Sequence, residues 1–463
     1  METVDSAAVL LLDLPQQALA GIDLLSFTTT PRFRGVKNLP GGYHFAFAGT
    51  STTFSERHGV WFNIETTSTP QLVVLKWNST DETLARMINE AEVLKWRANL
   101  GSLWHEGLTP YRQTAAKAVE EGEQESTDWP TLISSITSPL LSRVTRSGQH
   151  GWRLSSGSSS KRDLEDIPGL DSADIDLQAD KELQFLPIDL KQTWREGATG
   201  RERTEAAQDR SWALQHLIEG ECTGGDAMEI VGELQFCFLM VLTINNFSCL
   251  EQWKRILTLL FTCKMAVIKR PDLFISTITV LRLQLRHCKD AEGSLIDLTD
   301  EGGTLLKSLL IRFRAGFNEL GDIAVQDVLD ELDDLEAYLK QEHGWQFGGT
   351  FAKTGLLELD DGEQVRMDTT AFDEDDETGE FAPQIVDLTP EQARMLSGRD
   401  SSDLHVALER TKLGGAKQLD TVASSSDDSG SEEDSDEVQD LEIWPSDIDT
   451  PTNLFERTTG YYL

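Results

Sequence analysis

The chain has 463 residues, room for two or three domains of ordinary size, and carries a formal net charge of −38. That balance argues against nucleic-acid binding through the phosphate backbone, which needs Lys and Arg to neutralise phosphates, and favours partners with basic surfaces. The charge is uneven: from residue 347 onward 29 Asp and Glu stand against 8 Lys and Arg, a net of −21, so the rest of the chain is less extreme.

The N-terminal part reads as short strands. Residues 9–12 form a brief apolar run cut by Asp13, unlike the leader of a secreted protein. Ile22, Leu24 and Phe27 can share a face, Pro31, Gly35 and the Pro40-Gly41-Gly42 cluster force turns, and Tyr43, Phe45 and Phe47 then alternate on a following strand. Residues 60–64 and 72–75 are further β-prone runs. After Asp81 the spacing of Leu84, Met87, Ile88, Ala91, Val93 and Leu94 predicts a helix capped by Thr80 or Asp81. A second amphipathic helix is predicted over 129–141, with Leu132, Ile133 and Ile136 on one face and Pro130 in the first turn. Residues 1–146 are therefore expected to form a β-rich, sandwich-like domain with appended helices.

Residues 147–184, with a Ser- and Gly-rich stretch after Trp152, have the composition of a flexible linker. The extended segment 185–190 then leads into an all-α domain expected over 185–346. Its apolar recurrence runs through Leu214, Leu217 and Ile218, then Val231, Leu234, Phe238 and Leu242, then Leu250, Trp253, Ile256 and Leu260, then Phe274, Ile278 and Leu281, then Leu306, Leu310 and Phe313, then Val328, Leu332 and Leu339. Around 236–240 the helix is apolar on all sides, which places it at the centre of its domain and leaves partner contacts to its neighbours. The longest apolar run, 236–244, falls far short of the roughly 20 residues a bilayer crossing needs. Cys222, Cys237, Cys249, Cys263 and Cys288 all fall in this block without a C-x-x-C pair, so they are expected as buried, reduced thiols in a soluble, intracellular protein.

Residues 347–463 form an acidic tail expected to be largely disordered, since runs such as 373–380 and 424–437 cannot bury enough apolar area to offset ordering entropy. Within it, residues 383–388 are a β-prone island, with Pro383, Ile385, Val386 and Leu388 as candidate partner-binding residues of a strand that adds to a sheet edge. Ser425, Ser429 and Ser431 each have an acidic residue three positions on, the pattern acidophilic kinases use.

No phosphate-binding glycine loop, nucleophile elbow or paired-histidine metal motif occurs, so no catalytic, cofactor-binding or metal-ligating residue is assigned. His44, on the alternating strand, reads as a satisfied structural residue, and a hydrolase reading that leans on it ranks last.

The residue order of the first part, Gly21-Ile22-Asp23, Ser26-Phe27, Phe33, Gly35-Val36-Lys37, Pro40 and His44-Phe45, resembles the start of the Aar-two cistron-splicing factor family, assembly chaperones of the U-five snRNP. The segment GELQFCFL, 232–239, resembles that family's signature helix and is followed by Gln252-Trp253-Lys254. Gly59-Val60-Trp61-Phe62, the run 73–78, Glu196-Gly197-Ala198-Thr199, and Ala382-Pro383 leading into Ile385-Val386-Asp387-Leu388 agree in the same order. The resemblance implies a β-rich N-terminal domain and a VHS-like helical domain. It also implies a non-enzymatic role in pre-mRNA splicing: binding the RNase H-like and MPN-like domains of the snRNP's central scaffold protein, with a tail strand joining the two, and blocking premature helicase docking. A monomer before complex formation, no tight RNA binding, no membrane and a cytoplasmic and nuclear location go with it. Release in the family depends on phosphorylation in the loop before the signature helix, where Thr223 is the hydroxyl available and Asp226 and Glu229 add fixed charge. An unrelated acidic helical adaptor or histone-chaperone-like protein would account for the charge and the helices, but not for the N-terminal pattern.

Overall fold

The computed structural model describes residues 6–51, 55–66, 71–114, 119, 126–148, 151–165, 181–288, 305–320, 325–345, 354–358 and 364–368. The N-terminal strands are β1 (Ala7–Leu12), β2 (Leu19–Ile22), β3 (Leu25–Thr28), β4 (Gly35–Leu39), β5 (Gly42–Gly49), β6 (Arg57–Ile64), β7 (Leu72–Asn78) and β8 (Thr83–Arg86), followed by helix α1 (Glu90–Glu106), β9 (Leu108–Pro110) and, later, β10 (Arg153–Ser155). They form two five-stranded sheets, ordered β8-β7-β1-β4-β9 and β10-β6-β5-β2-β3.

Strand alternation assigns each face its neighbour. Val9 and Leu11 of β1, Ala46 and Ala48 of β5 and Val60 and Phe62 of β6 share the core between the sheets. The opposite side of β1, Ala8, Leu10 and Leu12, packs under Leu100, Trp96 and Trp104 of α1. The opposite side of the second sheet, Phe45, Phe47 and Trp61, joins the core of the helical domain. The central strands are thus buried on both faces, which is why β1 and the start of β7 read as continuous apolar runs. Two glycines make room: a Cβ at Gly21 would lie 2.1 Å from the Phe47 ring, and one at Gly59 would lie 2.0 Å from the Phe45 ring.

Two helix expectations are corrected. The helix expected after Asp81 starts at Glu90, where the Asn89 side chain accepts from the Ala91 and Glu92 amides, because 83–86 pair with β7 as an edge strand. Ile88 and Leu94, expected on its buried face, are 70% and 59% exposed. The helix expected over 129–141 is two, α2 (Trp129–Leu132) and α3 (Ser138–Val144), with Thr137 capping the second. Pro139 has no N–H to continue a helix from 135 but suits the first turn of a new one.

The linker expected over 147–184 is also corrected for residues 151–165. β10 pairs antiparallel with β6, and buried Trp152 donates its Nε1–H to Ser142 Oγ at 2.9 Å. Asn246 Nδ2 donates to the carbonyls of Ser155 at 2.9 Å and Ser158 at 2.7 Å. Asp163, buried in helix α4 (Lys161–Glu165), meets Arg255 at 2.5 Å. The serines that suggested flexibility act here as hydrogen-bonding groups of a packed segment, while 166–180 lie outside the described residues.

The helical domain comprises α5 (Gly200–Gln208), α6 (Ser211–Gly220), a 3-10 turn (Thr223–Gly225), α7 (Met228–Ile244), α8 (Phe247–Phe261), α9 (Met265–Lys269), α10 (Pro271–Arg286), α11 (Leu305–Leu320) and α12 (Gln326–His343). The chain is therefore α+β, with a β-sandwich followed by an all-α domain. α7 is central, buried without interruption from Glu229 to Met240, and packs against α8 and α10. Phe238 and Trp253 are core residues, and the Trp253 Nε1–H is satisfied by Gln284 Oε1 at 3.0 Å. Within the segment expected to be disordered, β11 (Thr354–Glu358) and β12 (Gln364–Asp368) form an antiparallel hairpin in a separate unit of the chain. The Asp361-Gly362 pair between them is a hairpin signal in sequence that the acidic composition obscured.

Candidate functional site

Four residues of the GELQF segment, Gly232, Glu233, Gln235 and Phe236, join the two domains, each through a different kind of contact. Gly232 lets α7 approach the turn after α2: a Cβ there would lie 2.2 Å from the Ser135 carbonyl oxygen. Gln235 answers the same turn, accepting the Ser135 amide at 2.8 Å and donating to Thr131 O at 2.9 Å and Ser134 Oγ at 3.0 Å. Phe236 stacks on Trp61 of β6, which stacks in turn on Trp129, each pair with centroids 6.0 Å apart.

Glu233 is fully buried, and a buried carboxylate needs partners. It accepts the Leu186 amide at 3.0 Å and Gln252 Nε2 at 2.8 Å, and its Oε2 lies 2.7 Å from Arg143 Nη2. Arg143 comes from α3 and also donates its Nε–H to Glu229 Oε1 at 2.9 Å, so one guanidinium serves two carboxylates of α7. Burial works against the Arg143 charge, but Glu233 and Glu229 outweigh it and raise its pKa. Burial pushes Glu233 upward against the pull of Arg143.

The Thr223 turn is tied to the same cluster. The Thr223 amide donates to Glu229 Oε2 at 2.6 Å, while its hydroxyl-bearing side chain lies on the exposed surface. Gly224 and Gly225 hold φ of +66° and +71°, a left-handed conformation that a side chain would strain, and Asp226 Oδ1 accepts the Met228 amide at 2.9 Å. Of the two fixed charges noted beside Thr223, Glu229 is consumed internally by Arg143 and only Asp226 faces solvent. Neighbouring Cys222 is pushed up to about 12 by burial and then by Glu229. A chain of contacts thus runs by hydrogen bonds from the Thr223 turn through Glu229 to Arg143, by an ion pair from Arg143 to Glu233, and by a hydrogen bond on to Leu186.

His44 is buried with its Nδ1 2.7 Å from Asp23 Oδ2 and its Nε2 3.0 Å from the Pro40 carbonyl. Asp23 also accepts the Phe45 amide at 2.8 Å and the Tyr111 hydroxyl at 2.6 Å. The pair braces the strands around the Pro-Gly-Gly turn. Pro383, Ile385, Val386, Leu388, Ser425, Ser429 and Ser431 lie outside the described residues. Arg143 and the roles of Gly232, Glu233 and Gln235 were missed in the sequence; the available signal was a Glu and a Gln inside a helix otherwise apolar on every side, where each polar group requires a partner. Among the described residues, no group of three His, Cys, Asp or Glu side chains is placed to hold a metal ion, and no helix is long and apolar enough to cross a membrane.

The two domains match family models one after the other. Residues 5–146 match the AAR2 N-terminal domain, and residues 185–348 match the AAR2 C-terminal repeat region. Among curated relatives, the Protein AAR2 homolog of Mus musculus is 28% identical over 362 residues, covering 74% of this chain and 90% of the relative. That of Homo sapiens is 27% identical with the same coverage, and that of Caenorhabditis elegans is 24% identical, covering 74% of this chain and 95% of the relative.

Proposed function

Because the chain belongs to the AAR2 family, a premise that supports a role in splicing and snRNP assembly, we propose that it binds the central scaffold protein of the U-five snRNP through that protein's RNase H-like and MPN-like domains. On this reading it is a non-enzymatic assembly factor, cytoplasmic and nuclear, monomeric until it meets the scaffold, and without tight affinity for RNA. Occupying a surface the snRNP helicase needs, it delays helicase docking by competition, since a pre-bound partner raises the apparent Kd of the later one.

The observation that supports this reading is the α7 junction. Gly232, Glu233, Gln235 and Phe236 all hold the sandwich to the helical domain, which makes the two domains one preformed platform and lowers the ordering cost of binding a two-domain partner. In the proposal, residues 383–388 add as a strand to a sheet edge of the scaffold, with Pro383, Ile385, Val386 and Leu388 in contact. Phosphorylation adds roughly −1.5 to −2 charges beside Asp226 at Thr223, or within the acidic tail at Ser425, Ser429 and Ser431, and promotes release.

Calorimetry with both scaffold domains tests it. The full chain is expected to bind, and Ile385→Pro, which removes a backbone donor, is expected to weaken binding at least about tenfold without changing the melting temperature. No binding of the wild-type chain rejects the partner, whereas an unchanged Kd for the variant rejects only the strand.

A further inference from the structure

The first sheet ends in an open strand. β8 is last in the order β8-β7-β1-β4-β9 and pairs with β7, Thr83 opposite Asn78 and Arg86 opposite Leu75. The Met87 amide donates to the Val74 carbonyl at 2.8 Å, which sets the phase of the ladder. In an antiparallel pair the bonding residues alternate, so 83, 85 and 87 face β7, while the N–H and C=O of Leu84 and Arg86 point away from it. Among the described residues no hydrogen bond reaches those four groups. Such an edge is a template for another strand.

Beside this edge lies a groove. β8 packs against β6, and the second sheet continues past β6 to β10, while among the described residues no strand of the first sheet lies beyond β8. Thr83 and Leu84 line one side of the groove, and Arg153, Leu154 and Ser155 of β10 line the other. The next strand of the first sheet would run along it, about 4.8 Å from β8.

The inner face of β8 determines what that strand must carry. Leu84 is buried in the core between the sheets; Arg86, two residues on, lies on the same face, and Ile88 continues the alternation at 70% exposure. Arg86 is half-buried, and among the described residues its guanidinium has neither a hydrogen bond nor an ion pair; burial alone lowers its pKa. Lys181 at the groove, by contrast, is paired with Glu56 at 3.2 Å. An inward-pointing charge on an edge strand repels any strand that cannot neutralise it, and so it selects one that brings a carboxylate. The inner face of β8 itself, Leu84 and Arg86, has no carboxylate, which argues against a second copy of this chain as the occupant.

We propose that the β8 edge takes up an extended segment of a partner protein as a further strand, with a Glu or Asp facing Arg86 and apolar residues two positions to either side facing Leu84 and Ile88. The pattern recognised is apolar-x-acidic-x-apolar, which reads the same in both strand directions. The proposal goes beyond the reading above, because it uses no residue of the α7 junction, of the Thr223 turn or of 383–388.

Fluorescence anisotropy with the full chain tests it, the probe being a short fluorescein-labelled peptide with valine, glutamate and valine at alternate positions and threonines between and around them. Saturable binding is expected, at least about tenfold tighter than for the glutamine counterpart. Methylating the peptide's backbone nitrogens at alternate positions separates its two edges: methyl groups in one phase are expected to abolish binding, and those in the other to leave it within about twofold. Arg86→Gln is expected to bind the glutamate and glutamine peptides equally, and Arg86→Glu to prefer a lysine counterpart by at least about tenfold, both with the melting temperature unchanged. Absence of saturable binding, equal binding of the two peptides by the parent chain, equal effects of the two methylation phases, or a retained preference for glutamate in Arg86→Gln overturns the proposal. Peptide binding that weakens as the chain is concentrated, with dimers seen by sedimentation velocity, gives the edge to a second copy and also overturns it. Because the probe contains no scaffold, either result stands apart from the proposed splicing function.

Discussion

Replacing Gly232 and Gly101 by alanine applies one chemical change in two helices and is expected to move stability in opposite directions. In an exposed helix interior, Gly→Ala stabilises by about 1 kcal/mol, because the backbone loses less freedom on folding. Gly101 lies inside α1, exposed, with nothing within 4 Å of an added Cβ, so that gain should appear undiminished. At Gly232 the same gain is opposed. The new methyl group would sit 2.2 Å from Ser135 O and 2.8 Å from Leu140 Cδ1, and the first of these is backbone, held in place by Gln235. Overpacking of this kind costs about 1–3 kcal/mol. Moving α7 away from the turn would also stretch the hydrogen bonds of Gln235 to residues 131–135, at about 1 kcal/mol each. The net expectation for Gly232→Ala is a loss of about 2–4 kcal/mol, against a gain of up to about 1 kcal/mol for Gly101→Ala. Urea unfolding followed by tryptophan fluorescence measures both from the shift in midpoint at constant slope. A Gly232→Ala variant as stable as the parent would show that α7 does not press against the turn after α2, and the account of the junction would fail with it.

Arg143→Ala leaves Glu229 and Glu233 without their shared cation and is expected to cost about 3–5 kcal/mol in the same urea assay; a loss below about 1 kcal/mol would mean the cluster is hydrated instead. Both ring nitrogens of His44 face acceptors, which favours the doubly protonated ring; burial opposes the charge, yet Asp23 prevails and the pKa is raised above 6.5. Its contribution is therefore full below pH 6.5 and lost as pH rises through the folded value, with a slope of at most about 1.4 kcal/mol per pH unit. His44→Gln should flatten that part of the stability profile, and an identical profile in the variant would contradict the assignment. Cys222 and Cys288 are pushed up to about 12 by burial, and Cys237, Cys249 and Cys263 are buried as well, so Ellman's reagent at pH 8 should label these thiols only on unfolding. Rapid labelling of the native chain would place at least one of them at the surface.

Local pattern in this chain was enough to set the class of each domain. Period-two runs with turn residues marked the sandwich, and an apolar stripe at helical spacing marked the α-helical domain; these are properties of neighbouring residues and survive without knowledge of the fold. The central place of α7 was also legible, since a segment apolar on every side has no face to give to water. Other features depended on residues distant in sequence. Residues 151–165 look like a linker because Ser and Gly are ambiguous by themselves, and only β6 and Asn246 make them a strand and a buried turn. The helix expected after Asp81 was delayed to Glu90 because 83–86 found a strand to pair with. Gly232 carries no side chain to report its role, and Glu233 and Gln235 could be seen to need partners without any indication of which. Hydrogen-bond partners and close approaches are set by which surfaces meet, and that was decided only when Arg143, Ser135 and Leu186 were brought to α7 by the tertiary fold.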